Sequence, residues 1–277
     1  MISEKIELLG KGCYKDIPNE LTITSMPTAS ELDYVGSEDF DATMLDKILP
    51  QCIAETGINF RNLLEVDYHW LCRGLRLLNY GPYYTTNAIF CDKCHHTSRG
   101  EFSVNLNTIP CKPLPEGFNN DVVVSKDEFI DFDKDVHLHL LTIQDVLNSE
   151  KDKAFQSPAS GMVNRELSRI CYAVTSIGNE KGLTPVQVKL IIQDKMSSAD
   201  YIILKNVVSA LTDYGLRAGG STQCPKCGNP DAAFIALMDD RFLRPTLGDL
   251  RKWKLDRARR TDENVSGSET KAVRKHN

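Results

Sequence analysis

Two cysteine pairs, Cys91-Asp92-Lys93-Cys94 and Cys224-Pro225-Lys226-Cys227, carry the two-residue spacing of a metal-binding knuckle. A tight turn with this spacing aims both thiolates at one point, so two such turns make a closed tetrahedral site of four thiolates. The predicted chemistry is the binding of one structural zinc ion by Cys91, Cys94, Cys224 and Cys227. Four thiolates leave no open coordination position, which argues against catalysis at the metal. The same spacing occurs in thioredoxin-like redox pairs. Two copies in turn-like settings favour zinc, and the second runs on through Gly228-Asn229-Pro230. His95 and His96 follow the first pair directly. With four thiolates already available, they are expected to be exposed turn residues.

The other five of the nine cysteines, Cys13, Cys52, Cys72, Cys111 and Cys171, lack ligand spacing and are expected to be small buried apolar side chains. The first seven residues contain no apolar run of leader type. No stretch approaches the roughly 18 apolar residues of a membrane span. A reduced, cytosolic site of synthesis is the expectation, and there paired cysteines favour metal over disulfide. At 277 residues, 41% hydrophobic and 26% charged, the chain is long enough to bury a core without covalent staples. Its net charge of −5 argues against a broad nucleic-acid surface. The charge is uneven: residues 251–277 hold nine Lys/Arg against four Asp/Glu.

Asp131, Asp133, Asp135, His137 and His139 alternate, so a strand would place all five on one face. They do not make a calcium loop, because Val136 stands where such a loop needs glycine and Thr142 where it needs glutamate. An edge strand with a charged outer face is the expected arrangement, with Ile130, Phe132, Val136, Leu138 and Leu140 turned inward. The chain has no glycine-rich phosphate loop, no GxSxG elbow and no HExxH, and Gly219-Gly220 is expected to be a turn. No catalytic constellation emerges, and the expectation is a protein that is not an enzyme.

These residues need elements to hold them. The first 40 residues read as an extended arm, with strand-like alternation at Leu21-Thr22-Ile23-Thr24 and a capping box, Thr28 to Glu31, opening a short helix. Residues 43–55 have helical spacing, which Pro50 bends or ends early. Residues 65–79 form the clearest helix, with His69, Arg73 and Arg76 on one polar face and Gly81-Pro82 as its stop. Extended segments flank both knuckles, which is the layout of a zinc ribbon. A proline-rich link, 109–118, leads to extended pieces at 121–125 and 130–141. Four helices are then predicted, at 143–154, 161–176, 185–196 and 199–214. Thr184-Pro185 caps the third, and Gly215 ends the fourth.

The predicted fold class is α+β: a split four-cysteine zinc-ribbon β core with an inserted helical block and an extended N-terminal arm. Residues 1–125 would hold the arm, helices and first ribbon half. Residues 126–215 would hold a strand plus the helical block, and 216–250 the second ribbon half. Residues 251–277 would be a basic flexible tail.

Three stretches resemble the baseplate hub assembly proteins of contractile-tailed bacteriophages. The first is Gly10 to Tyr14, then Leu21-Thr22-Ile23 and the turn from Met26 to Glu31. The second is Leu63-Leu64-Glu65-Val66-Asp67, continuing through Leu75-Arg76-Leu77-Leu78-Asn79-Tyr80-Gly81 and Tyr83 into Cys91 and Cys94. The third is Cys224-Pro225, Cys227-Gly228 and then Phe242, Arg244 and Pro245. Together they span most of residues 6–247 in the family's order. Leu243 departs from the pattern, which often has a second phenylalanine there, and the tail beyond Pro245 is longer than the pattern needs.

The resemblance implies a non-enzymatic role in building the central hub of a phage tail baseplate. It implies contacts with other baseplate or hub proteins, in the host cytoplasm during assembly or in the virion. It implies neither a membrane nor a small-molecule substrate. The alternative reading is a zinc-ribbon nucleic-acid-binding or transcription-associated protein, which the basic 251–277 segment favours and the acidic body opposes.

Overall fold

The computed structural model describes residues 2–35, 37–157, 160–235, 242–243 and 245–255. Ser3–Glu7 (β1) and Glu20–Thr24 (β2) pair antiparallel, with Ile6 opposite Leu21. Leu21 and Ile23 are buried. This corrects the expected extended arm, because the segment folds back as a hairpin on the protein's central helix. Gly74 of that helix is the seat: a Cβ there would fall 2.1 Å from Ile6 Cδ1 and 2.8 Å from Ile23 Cδ1.

Thr28–Val35 (α1) starts one residue earlier than the capping-box reading. Pro27 supplies the first carbonyl, so Thr28 lies inside the helix. Phe40–Thr43 (α2), a π-helical turn Met44–Ile48 and Leu49–Cys52 (α3) run on as one rod. Pro50 sits in the first turn of α3, where its missing N–H costs least, and the rod ends two residues later.

Glu65–Tyr80 (α4) is the predicted central helix, closed by Gly81 at φ 74°. Its expected polar face is not one: His69 and Arg73 are half-buried and Arg76 is fully buried. At its N-terminal end Asp67 is buried and accepts from the Leu9 N–H at 2.5 Å, the Gly10 N–H at 3.1 Å and the Tyr14 hydroxyl at 2.5 Å. The glycine-rich turn is thereby bolted to the helix.

Tyr83–Cys91 (β3) and His96–Asn105 (β4) form the first long hairpin, and Cys111–Lys112 (β5) follows. The chain then leaves on an excursion. Its strands are Val122–Val124 (β6), Val136–Leu138 (β7), Val174–Ile177 (β8) and Glu180–Lys181 (β9), which make an antiparallel sheet in the order β6-β7-β8-β9. Its helices are Ile143–Lys151 (α5), Arg165–Ala173 (α6), Pro185–Lys195 (α7) and Ser198–Thr212 (α8). The predicted helical block therefore has its own sheet. The helix expected over 161–176 ends at Ala173, because Val174, Ser176 and Ile177 pair with β7.

The chain returns at Gly215–Leu216 (β10), which pairs with β5, Gly215 opposite Lys112 and Leu216 opposite Cys111. This two-stranded neck puts the start of the excursion at about residue 113, ahead of the predicted 126. Gly215 has φ 85° and lies against Val66, whose Cβ would be 2.9 Å from an added Cβ. Its role is to let the neck pass α4, while Asp213 is the residue that caps α8.

Gly219–Thr222 (β11) and Ala232–Ile235 (β12) then complete a four-stranded sheet in the order β11-β12-β3-β4. Gly219 and Gly220 are thus strand residues rather than a turn. A Cβ on Gly219 would lie 2.0 Å from the Phe234 carbonyl oxygen, and one on Gly220 would lie 2.8 Å from Thr108 Oγ1. Residues 247–255 are helical, so the first five residues of the expected flexible tail are ordered. The rest of that tail lies outside the described residues.

Candidate metal centre

Both cysteine pairs sit at hairpin ends of the same sheet. Cys91 closes β3 opposite His96, the first residue of β4. Residues 92–95 make the turn between them, with His95 in the left-handed region at φ 51°. The second pair lies between β11 and β12. There the Cys224 N–H donates to the Asn229 carbonyl at 2.7 Å, and the Gly228 N–H donates to the Cys224 carbonyl at 2.9 Å. Gly228 has φ 73°, which a side chain would strain. Because β12 pairs with β3, Ala233 opposite Phe90 and Phe234 opposite Ile89, the two turns end side by side.

The four Sγ atoms lie within 4.8 Å of one another. Cys91 and Cys227 are 3.7 Å apart, and Cys94 and Cys224 are 3.9 Å apart. These separations exclude sulfur–sulfur bonds of about 2.05 Å. They match the edge of a tetrahedron with metal–sulfur bonds of about 2.3 Å, which is about 3.8 Å. Cys91 and Cys224 are buried, Cys94 is half-buried and Cys227 is exposed. The predicted residues are therefore all brought together, and the donor set fits one metal ion.

The turns favour the thiolate at Cys91 and at Cys224. The backbone N–H of Cys94 holds the Cys91 sulfur down to about 6, helped by the Asn229 amide, whose Nδ2 donates to it at 3.6 Å. The backbone N–H of Cys227 lowers Cys224 in the same way. Burial and the neighbouring sulfurs push Cys94 up to about 12, because a further negative charge among thiolates is unfavourable. A cation at the centre would relieve this crowding. Asn229 escaped the sequence reading. Its only signal is its place in the turn Gly228-Asn229-Pro230.

The remaining candidates do not assemble. His95 and His96 are exposed, as expected, and stand outside the sulfur cluster. The alternating Asp/His run is a strand only over β7, with an irregular register between His137 and Leu138. Asp135 accepts from the Lys126 N–H at 2.7 Å, His137 Nδ1 pairs with Asp121 at 3.1 Å, and His139 Nε2 faces the Tyr172 carbonyl at 3.0 Å. Phe132, Val136, Leu138 and Leu140 are buried as expected, whereas Ile130 is 69% exposed. Among the described residues the four cysteines are the one group placed to hold a metal ion. No described helix is long and apolar enough to cross a membrane.

The chain matches no protein-family model, no curated protein and no solved structure.

Proposed function

We propose that this chain is a non-enzymatic structural or assembly protein of a phage tail baseplate hub, acting through protein–protein contacts and stabilised by one structural zinc ion. The observation that carries the reading is the joining of two distant cysteine turns into one four-thiolate centre, in the same chain order as the motifs that resemble the hub family. Zinc is the metal that four thiolates at tetrahedral spacing suit best, and a closed thiolate shell serves to hold the fold. The strands around it would form a zinc ribbon split by the excursion.

The excursion offers the partner surface. Val186 and Leu190 lie one turn apart on α7, 42% and 51% exposed, and Ile202 on α8 is 53% exposed. Presented by two helices of the excursion, they suit contact with other baseplate or hub proteins, in the host cytoplasm during assembly or in the virion. Copy number in purified particles tests this reading: mass spectrometry should find the chain in baseplate intermediates or in virions. Its absence from both would overturn the proposal. Salt-dependent binding of DNA or RNA by the purified chain would instead favour the nucleic-acid reading.

A further inference from the structure

A cavity of about 490 Å³ opens where α4 meets the excursion. Its walls come from the first two turns of α4, the C-terminal ends of α6 and α8, residues 139–141 after β7, and residues 213–218 around the neck. Backbone hydrogen bonds fix these walls to one another. The Glu65 N–H donates to the Leu141 carbonyl at 2.9 Å, and the His139 N–H donates to the Ala173 carbonyl at 2.9 Å. Protein interiors are close-packed, with few voids larger than a water molecule. A space of this size falls instead within the roughly 300–1,000 Å³ of small-molecule sites.

Val66, Leu140, Leu141, Val208 and Leu211 give the cavity an aliphatic wall, and all five are buried. The charged residues of the lining stand in two pairs. Arg169 Nη2 donates to Glu65 Oε2, with side chains 23% and 22% exposed. Arg217 Nη2 donates to Asp213 Oδ1 at 3.3 Å, nearer solvent. Beyond the lining, Lys112 adds a cation at Asp213, and Asp41 adds an acid that accepts from the Tyr68 hydroxyl at 2.8 Å. Burial holds the His69 imidazole below its ordinary value, so it is neutral at pH 7. The formal charges therefore cancel. An ion entering this cavity would give up water and find each counter-charge already paired.

The inner pair keeps spare hydrogen-bonding capacity of both kinds. A guanidinium has five N–H donors, and a carboxylate has about four acceptor sites. Among the described residues, the side chains of Arg169 and Glu65 make only the bond that joins them. Donors and acceptors thus stand side by side, a pattern that an amide group complements with its carbonyl oxygen and its N–H groups. We infer that this cavity binds a small neutral molecule with an apolar body and an amide-type head, the head on Arg169 and Glu65 and the body against the aliphatic wall. Bound there, the ligand touches α4, α6 and α8 together, so binding also fastens the excursion to the central helix. The site shares no residue with the cysteine centre.

Octanamide is the probe, titrated into the full chain by calorimetry. It should saturate one site and raise the melting temperature. The ring resonances of His69 and His139, which line the cavity, should shift, while those of His95 and His96 stay unchanged. Each methylene removed from the probe should weaken binding about fourfold. Octanoate and octylammonium, equal in length but charged, should bind at least about tenfold more weakly. Glu65→Met with Arg169→Met removes the partners of the head and leaves no buried charge unpaired. That double variant should keep its metal and lose about ten- to a hundredfold in octanamide affinity. The inference is overturned if octanamide does not saturate, if either charged probe binds as tightly, if the two histidines do not respond, or if the folded double variant keeps its affinity. The comparison of probes uses the unaltered chain and decides the matter even if the double variant does not fold.

Discussion

Phe234 lies directly opposite Ile89 in antiparallel register, and both side chains are buried. Together with Ala233 opposite Phe90, this pair joins the strand before the first cysteine turn to the strand after the second. The sulfur cluster can form only if that register holds, since a one-residue slip would turn every side chain of β12 to the other face.

Phe234→Ala should therefore damage more than a local contact. The cavity should cost about 3–5 kcal/mol of unfolding free energy in denaturant titration. Metal affinity should fall with it. Full metal affinity alongside a large stability loss would show that the cluster forms independently of the β3–β12 pairing.

Cys94→Ser and Cys227→Ser should each abolish stoichiometric metal. The unaltered chain should contain about one zinc per molecule by elemental analysis. Removal of that zinc by a chelator should lower the melting temperature, because metal-binding free energy contributes directly to folding. A variant that keeps both its metal and its melting temperature would refute the four-thiolate centre.

Gly219→Ala tests the tight antiparallel pairing of β11 with β12. With the added Cβ 2.0 Å from the Phe234 carbonyl oxygen, the strands must separate. Loss of protection at the Thr222 and Phe234 amides in hydrogen exchange should accompany a stability loss of about 1–3 kcal/mol. Ala at Gly12, which meets nothing within 4 Å but has φ 87°, is the comparison that isolates backbone strain from crowding.

Tyr14→Phe should cost about 1.5–3 kcal/mol, the range for a hydrogen bond to a charged group. The hydroxyl is used twice: it donates to Asp67 at 2.5 Å and accepts from the Leu64 N–H at 2.9 Å. Removing it strands the Leu64 N–H and leaves Asp67 with the Leu9 and Gly10 N–H groups alone. Equilibrium denaturation should show the loss with the slope unchanged.

His69 gives the fold an acid-sensitive element. Burial lowers its pKa below the usual 6.5, against the pull of Glu65 and Asp41 and together with Arg169. A depressed folded-state value means stability that is present above about 6.5 and lost as the pH falls through the folded value. His69→Gln should flatten that part of the stability–pH curve. An unchanged slope would show that the imidazole charges freely in the folded state.

Much of this was written in local pattern. The two-residue cysteine spacing is a property of a single turn, so all four cysteines of the cluster were legible from the residues alone. Helix α4 announced itself by apolar spacing, and α7 by Thr184 and Pro185, whose capping box with Gln187 is present. Other features were illegible because the deciding partner is far away in the chain. Val174 to Ile177 continues a helical pattern until β7 offers it a ladder. Arg76 shares helical phase with two polar residues, yet the packing of neighbouring elements around α4 buries it completely.

The sequence by itself determined what the centre is made of, because the ligand chemistry resides in side-chain type and in turns of a few residues. Only the tertiary structure decided where that centre stands and what closes it. The meeting of β3 with β12, the neck between Lys112 and Gly215, and the seating of Trp253 on Gly81 are all pairings of distant segments. Such pairings are set by complementary surfaces and backbone hydrogen bonds that exist only once the chain has folded.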